Sequence, residues 1–145
     1  TDVIKFAYQT GARQGEILKL KREHIDFENK QCTFFDTKNS ADRTIPLADE
    51  TLAMLKKHVF GEYIFNCKSS RLRNWFRRAC KEAKISNFRF HDLRACFCTN
   101  ALLNGWSIAE VSAVSGHKDW SQLKRYTRIK PKDLLEKINN VVNLK

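Results

Sequence analysis

Hydrophobic spacing along the chain predicts helices over most of its length and strands in one short stretch. Residues 2–9 have helical spacing that ends near Gly11, and residues 15–20 begin a second short helix. Apolar and β-branched runs predict three strands at 24–27, 31–35 and 43–47, with a turn at 28–30. Pro46 marks the end or an edge of the third strand. The pattern therefore predicts a mainly α (α+β) fold with a small antiparallel three-stranded sheet at one edge.

Helices follow these strands. One is expected from Ala48 or Asp49 to His58. The next is expected to be capped by Ser70 and to bury one apolar stripe made of Leu72, Trp75, Phe76, Ala79, Cys80 and Ala83. Its opposite face is basic. Contact with the DNA backbone and simple exposure to solvent are equally good explanations of this face, which carries Arg71, Arg73, Arg77 and Arg78.

Three more helical segments are predicted near the C-terminus. Residues 91–103 form a helix that Gly105 stops, and Ser107 with Glu110 makes a capping box for a short helix ending at Gly116. Ser121 is expected to cap the segment that bears Tyr126. After Pro131, a last amphipathic helix is predicted from the stripe Leu134, Leu135, Ile138, Val141 and Val142.

The net charge of the chain indicates which kind of molecule it binds. The 145 residues fit one domain, and 27 Lys and Arg against 16 Asp and Glu give a net charge of +11. Such a field attracts polyanions, so double-stranded DNA is the expected partner and a solvated basic surface is the alternative. No apolar run approaches the ~18 residues of a membrane span and no signal peptide is visible, so a cytoplasmic protein without membrane contact is expected.

The five cysteines are Cys32, Cys67, Cys80, Cys96 and Cys98. An odd number without a secretory signal predicts reduced thiols. A metal at Cys96 and Cys98 is the alternative, but neighbours two apart on a helix point to different faces. No metal or other cofactor is expected.

Several residues could serve chemistry at a phosphate. Arg13 stands one helical turn before Glu16, which could orient it, and an arginine fork can hold two phosphate oxygens. His91 and Arg94 are three apart at a helix start, so they share one face. Tyr126 lies in a basic setting, whereas Tyr8 and Tyr63 have apolar neighbours and are expected in the core. His24 and His58 are expected to be ordinary surface histidines.

The motifs Thr10-Gly11-x-Arg13-x-x-Glu16, His91-x-x-Arg94 and Gly116-His117 before Tyr126 occur in an order that resembles the catalytic domain of tyrosine recombinases, the phage-type integrases. The resemblance implies that Tyr126 attacks DNA and forms a 3′-phosphotyrosyl link. It implies that Arg13, Arg94, His91 and His117 assist. It also implies a hairpin lysine as general acid, for which Lys38 fits better than Lys30.

The resemblance further implies a bacterial, phage or mobile-element protein that acts as four protomers on two duplexes. We expect residues 1–145 to be one catalytic domain cut from a longer chain whose preceding DNA-binding domain is missing, and the isolated domain to be monomeric. Two alternatives remain open: a type IB topoisomerase that relaxes DNA, and a non-catalytic DNA-binding module on the same fold. The spacing from His117 to Tyr126 favours a recombinase, and the full set of six residues argues against a non-catalytic module.

Overall fold

A computed structural model describes residues 2–35, 42–58 and 60–127, and also residues 131, 132, 135, 138 and 139. Its helices, in chain order, are α1 Asp2–Thr10, α2 Gln14–Leu18, α3 Asp49–Leu55, α4 Ser69–Glu82, α5 Asp92–Leu103 and α6 Ile108–Ser115. Shorter 3₁₀ segments lie at Arg22–His24, Lys56–His58 and Trp120–Tyr126.

The sheet has three strands, β1 Ile25–Asp26, β2 Gln31–Phe34 and β3 Arg43–Pro46, in the order β1-β2-β3. Both pairings are antiparallel, and Phe34 pairs with Arg43 at the end of the sheet from which residues 36–41 extend. The predicted fold class, helical with a small antiparallel sheet, is confirmed. Lys38 lies outside the described residues.

The main core joins the sheet to the first helices. Phe6 of α1 packs against Phe34 of β2 and Phe65, with ring centroids 6.5 and 5.5 Å apart. A smaller second core lies between α5, α6 and the Trp120–Tyr126 segment, and it contains Cys98, Ala101, Val111 and Leu123. Helices α1 and α5 lie against each other, and α6 lies against β3. The packing therefore brings chain segments near residues 13, 43, 94 and 117 together.

Helix α4 differs from its predicted pattern. The buried stripe consists of Leu72, Phe76 and Cys80, while Trp75 is 48% exposed, and Ala79 and Ala83 also face solvent. The helix lies on the surface of the domain, and a narrow contact buries one residue per turn rather than two. The predicted Ser70 cap is wrong, because the helix begins at Ser69 and Lys68 occupies the cap position without a side-chain bond.

Other sequence expectations also need correction. Tyr8 is exposed rather than in the core, and its hydroxyl accepts a hydrogen bond from the Asn100 side chain at 2.8 Å. Asp119, not Ser121, caps the segment before Tyr126, and the carboxylate of Asp119 accepts from the Ser121 amide at 2.8 Å. The segment begins at Trp120, so Asp119 and not Ser121 occupies the N-cap position, where a side-chain oxygen can accept from the exposed amides.

All five cysteines are free thiols; Cys32, Cys80 and Cys98 are buried, whereas Cys67 and Cys96 are half-buried. Within the described ranges, no helix has the length and hydropathy needed to cross a bilayer. Across those same residues, no group of three or more His, Cys, Asp or Glu side chains is arranged to hold a metal ion.

Candidate active site

Arg13 is held at the start of α2 by a backbone turn. Gly11 ends α1 with φ +63°, and the ring of Phe97 occupies the space where a Cβ of Gly11 would lie. Only glycine fits this combination of positive φ and close approach. The chain then enters α2, and the Glu16 carboxylate accepts from the Arg13 amide at 2.7 Å. The turn and the reach-back contact together fix where the Arg13 side chain leaves the backbone.

The Arg13 side chain spans two parts of the site. Its Nη1 donates to Glu16 at 3.1 Å, and its Nη2 donates to the backbone oxygen of Gly116 at 2.9 Å. The side chain nevertheless remains 42% exposed, so its guanidinium can also meet a bound anion. The predicted role of Glu16 as the residue that orients Arg13 is supported by this geometry.

Arg94 is the most deeply buried charged group of the site, with only 4% of its surface exposed. Its Nη1 donates to the carbonyl of Gly11 at 2.9 Å and to the carbonyl of Ser115, and its Nη2 lies 3.2 Å from Nδ1 of His117. Burial, and then the positive charge of the nearby Arg13, lower the pKa of Arg94 to about 10. The group stays protonated at neutral pH and places a fixed positive charge inside the site.

His117 follows the left-handed turn at Gly116, whose φ is +75°. Burial, and then the positive charges of Arg94 and Arg13, lower the pKa of His117 to about 4, so the ring is neutral at pH 7. Nη2 of Arg94 can only donate, so the tautomer of His117 that bonds to it accepts at Nδ1. That tautomer carries the ring proton on Nε2, where it can be donated to a substrate oxygen.

Two serines support this histidine. Ser115 Oγ lies 2.7 Å from Nδ1 of His117, and Ser112 Oγ donates to the His117 backbone oxygen. Both serines come from the last turn of α6 and are buried. Their roles were not predicted from the sequence, although two serines three residues apart in a helix whose only charged residue is Glu110 are a signal that could have found them.

His91 and Tyr126 are the two other predicted site residues that the structure describes. His91 is exposed at the N-terminus of α5, and it is the smallest of the named influences that lower the pKa of His117. Tyr126 ends its 3₁₀ segment, packs against the second core, and has the Arg125 guanidinium 5.0 Å from its ring centroid. Direct contacts thus join Arg94 to His117, and Arg13 to Gly116, the residue before His117, while Tyr126 packs against the second core.

The basic face of α4 divides in two. Arg73 and Arg77 line a surface groove of about 730 Å³ that extends to His91 and has an aromatic floor containing Phe76 and Phe88. Arg71 instead packs over the ring of Trp75, with 5.6 Å to its centroid. Arg78 is exposed and is not among the residues that line this groove.

Arg43 was missed as a site residue. It begins β3, and its two Nη atoms donate to the two carboxylate oxygens of Glu16, each at 2.9 Å. Burial alone would raise the pKa of Glu16, but the bonds from Arg43 and Arg13 outweigh it and hold that pKa below its ordinary value. No spacing along the chain connects positions 16 and 43, so only the folded arrangement identifies this pair.

The sequence is similar to known proteins over most of its length. A sequence profile described as the phage integrase family matches residues 2–133. The shufflon-specific DNA recombinase of Escherichia coli is 33% identical over 141 residues, covering 94% of this chain and 36% of that protein. The tyrosine recombinase XerA of Saccharolobus solfataricus is 31% identical over 136 residues, covering 91% and 46%. The chain therefore spans between a third and a half of the length of these curated relatives.

Solved structures share the fold. The catalytic domain of bacteriophage HP1 integrase superimposes with a TM-score of 0.77 at 26% identity, covering 99% of this chain and 84% of that one. The Tn1549 transposon integrase, solved in complex with a circular intermediate DNA, gives a TM-score of 0.84 at 16% identity, covering 96% and 57%. Since the family profile matches almost from end to end, the chain belongs to the phage integrase family, the tyrosine recombinases.

Proposed function

We propose that this domain cuts and rejoins DNA at specific sites, with Tyr126 as the nucleophile. The phenolic oxygen of Tyr126 forms a bond to the phosphorus of a DNA phosphodiester, and the bond from phosphorus to the 5′ oxygen breaks. The strand is left as a 3′-phosphotyrosyl link and a 5′ hydroxyl. A 5′ hydroxyl from a partner strand then attacks the link and releases the tyrosine, so the bond energy is conserved and no ATP is required.

One observation carries this proposal: three donors that are far apart in sequence meet at the Gly116 turn. Arg13 binds the Gly116 carbonyl at 2.9 Å, and Arg94 lies 3.2 Å from the neutral ring of His117. Negative charge builds up on the phosphate oxygens during the attack, and preorganised N–H donors in a partly buried site stabilise it. The side chains are held by the protein's own carbonyls and carboxylate, so they need little rearrangement when DNA arrives.

Further roles follow from position. We assign His91, exposed at the entrance, as the group that accepts the Tyr126 proton or contacts a phosphate oxygen. We retain Lys38 as the general acid for the leaving 5′ oxygen on the basis of the family motif. Arg73 and Arg77, which line the groove leading to His91, are proposed to contact the DNA backbone. Arg71 and Arg78 stay weaker candidates for the same contact.

The test is covalent capture of DNA by the full protein. Incubation with fragmented DNA of the source genome should give protein–DNA adducts that survive SDS, and sequencing the attached fragments would identify the site. Tyr126→Phe should give no adducts while its DNA affinity stays nearly unchanged, because one oxygen is lost and no positive charge. Tyr63→Phe is the matched control and should form adducts normally.

Three outcomes separate the alternatives. Absence of adducts with the wild-type protein would favour a non-catalytic DNA-binding module. Adducts without site preference, together with relaxation of supercoiled plasmid, would favour a topoisomerase. Adducts that persist in Tyr126→Phe would show that another residue is the nucleophile.

We also propose that the full protein, with a DNA-binding domain ahead of this one, works in the cytoplasm as a tetramer on two duplexes, and that the isolated domain is a monomer. Leu135 and Ile138, two positions of the predicted C-terminal stripe, are 62% and 58% exposed and so are available to a neighbouring protomer. The other members of that stripe, Leu134, Val141 and Val142, lie outside the described residues. Deleting residues 132–145 should impair recombination more than binding to a single site, and unchanged recombination would refute this docking.

A further inference from the structure

Arg43 and Arg13 both hold the Glu16 carboxylate. Its planar fork gives two parallel hydrogen bonds of 2.9 Å, one to each carboxylate oxygen. A bidentate pair of this kind fixes the rotation of the carboxylate as well as its position. The Arg43 side chain is only 14% exposed, so these contacts are shielded from water.

Glu16 passes this constraint to Arg13. The oxygen that receives Arg43 Nη1 also accepts from Arg13 Nη1 at 3.1 Å, and the other oxygen accepts from the Arg13 amide at 2.7 Å. The carboxylate therefore takes two N–H donors on each oxygen. Without Arg43, one carboxylate rotation would no longer be preferred, and the backbone and side chain of Arg13 would lose their common anchor.

Arg43 also touches the turn that Arg13 reaches. A Cβ built on Gly116 would lie only 2.9 Å from Cζ of Arg43, so the guanidinium packs directly against this glycine. Arg13 donates to the Gly116 carbonyl from the other direction. The two arginines thus enclose the Gly116 turn and the Glu16 carboxylate between them.

Two further features of the Arg43 side chain bear on whether it serves the site or only the sheet. Its guanidinium lies 4.9 Å from the ring centroid of Phe34, its partner across the β2–β3 pairing. Its Nε is buried, and in the described part of the chain it has no hydrogen-bond partner. A buried N–H without a partner costs stability, so a residue kept only to stabilise the sheet would be a poor choice here.

We propose that Arg43 is a positioning residue for the strand-cleavage reaction, which acts by fixing Glu16 so that Arg13 is aimed at the scissile phosphate. This inference rests on the proposed function. The Arg43 side chain is 14% exposed and directs both fork bonds to Glu16, whereas the Arg13 side chain is 42% exposed, so Arg13 is the arginine of this pair that faces the substrate. The proposal adds one residue to the family motifs: Arg43, the first residue of β3, which follows Lys38 in the chain.

The first experiment compares single-turnover adduct formation in the full protein for Arg43→Gln and Arg43→Lys. Both should cleave about 10- to 100-fold more slowly, the usual loss when a group that orients a functional side chain is removed. Lysine keeps the charge but not the fork, so Arg43→Lys should recover little of the rate. With DNA at a saturating concentration, the measured rate reports the cleavage step and not DNA binding.

Arg22→Gln is the matched control. Arg22 also stacks on a ring, 4.3 Å from the centroid of Phe27, and donates to a carbonyl, that of Ile25 at 3.1 Å, but it lies outside the site. Because Arg22 is exposed and Arg43 is not, Arg22→Gln should lower stability less than Arg43→Gln, and it should leave cleavage per folded molecule unchanged. An equal loss of cleavage in Arg22→Gln and Arg43→Gln would mean that Arg43 acts through stability alone, which overturns the proposal.

A double-mutant comparison tests the route through Arg13. In an Arg13→Ala background there is no guanidinium left to aim, so Arg43→Gln should reduce cleavage little further. If the same fold-reduction appears in both backgrounds, Arg43 does not act through Arg13 and the proposal fails. The proposal also fails if folded Arg43→Gln and Arg43→Lys cleave DNA at the wild-type rate.

A measurement without DNA separates this inference from the proposed function. The Arg13 amide donates to Glu16, so its hydrogen-exchange protection should fall in Arg43→Gln and stay unchanged in Arg22→Gln. If the wild-type protein formed no adducts, the proposed function would fail, and this exchange result would still decide whether Arg43 positions Arg13. Unchanged protection in Arg43→Gln would overturn the inference.

Discussion

Gly116→Ala offers a sharp test of the site, because the chain contains a glycine that serves as its control. Gly116 and Gly105 both have positive φ, +75° and +87°. An alanine in the left-handed region costs roughly 1–2 kcal/mol at either position. Space distinguishes them: a Cβ at Gly105 meets nothing within 4 Å, whereas a Cβ at Gly116 lies 2.9 Å from Cζ of Arg43.

The magnitude follows from that contact. Carbon atoms normally approach to about 3.5–4.0 Å, so Arg43 must move by roughly 0.5–1 Å to admit the methyl group. Such a shift breaks the pair of 2.9 Å bonds to Glu16 and disturbs the anchor of Arg13. Since a misplacement of about 1 Å can cost about 100-fold in rate, we expect Gly116→Ala to cleave about 100-fold more slowly.

The assay measures both properties of each variant. Thermal or urea unfolding should show that both variants are destabilised by the positive φ, and Gly116→Ala the more strongly, because only there are the Arg43–Glu16 bonds broken. Single-turnover cleavage with protein in excess should be near wild type for Gly105→Ala and strongly reduced for Gly116→Ala. Equal cleavage by the two variants would refute the reasoning, because backbone strain would then be the only consequence of the substitution.

Three other predictions concern single residues. Arg94→Ala should slow cleavage by about 10²–10³-fold, the loss typical of one oxyanion donor, and near-wild-type cleavage per folded molecule would contradict it. The fold favours the neutral ring of His117, so the contribution of this ring to stability is complete above pH 6.5 and declines as the pH falls towards about 4. Between these pH values, the urea midpoint of His117→Gln should therefore change less with pH than that of the wild type. Lys38→Ala should be rescued by DNA whose leaving 5′ oxygen is sulfur, since a thiolate needs no general acid; Lys30→Ala, whose lysine pairs with Asp49 at 2.7 Å, should need no rescue, and the opposite result would move the acid to Lys30.

Much of the fold could be read from local patterns. The three strands, the capping box at Ser107 and Glu110, and the left-handed end of α6 at Gly116 all depend on neighbours within a few residues. The prediction was wrong for Trp75 and Tyr8, which lie on faces that nothing in the described structure fully covers. Apolar spacing indicates which residues could be buried, but whether another element packs against them depends on the whole chain.

The sequence by itself determined the candidate phosphate-binding residues and the family, because those motifs are short and fixed in order. It could not show that Arg94 is buried against the Gly11 and Ser115 carbonyls, or that its guanidinium lies 3.2 Å from Nδ1 of His117. Nor could it connect Glu16 with Arg43, since their bond joins a helix to a strand 27 positions away. Only the tertiary structure decided these points, because burial, charge proximity and hydrogen-bond direction are properties of residues that meet in space and not of residues adjacent in the chain.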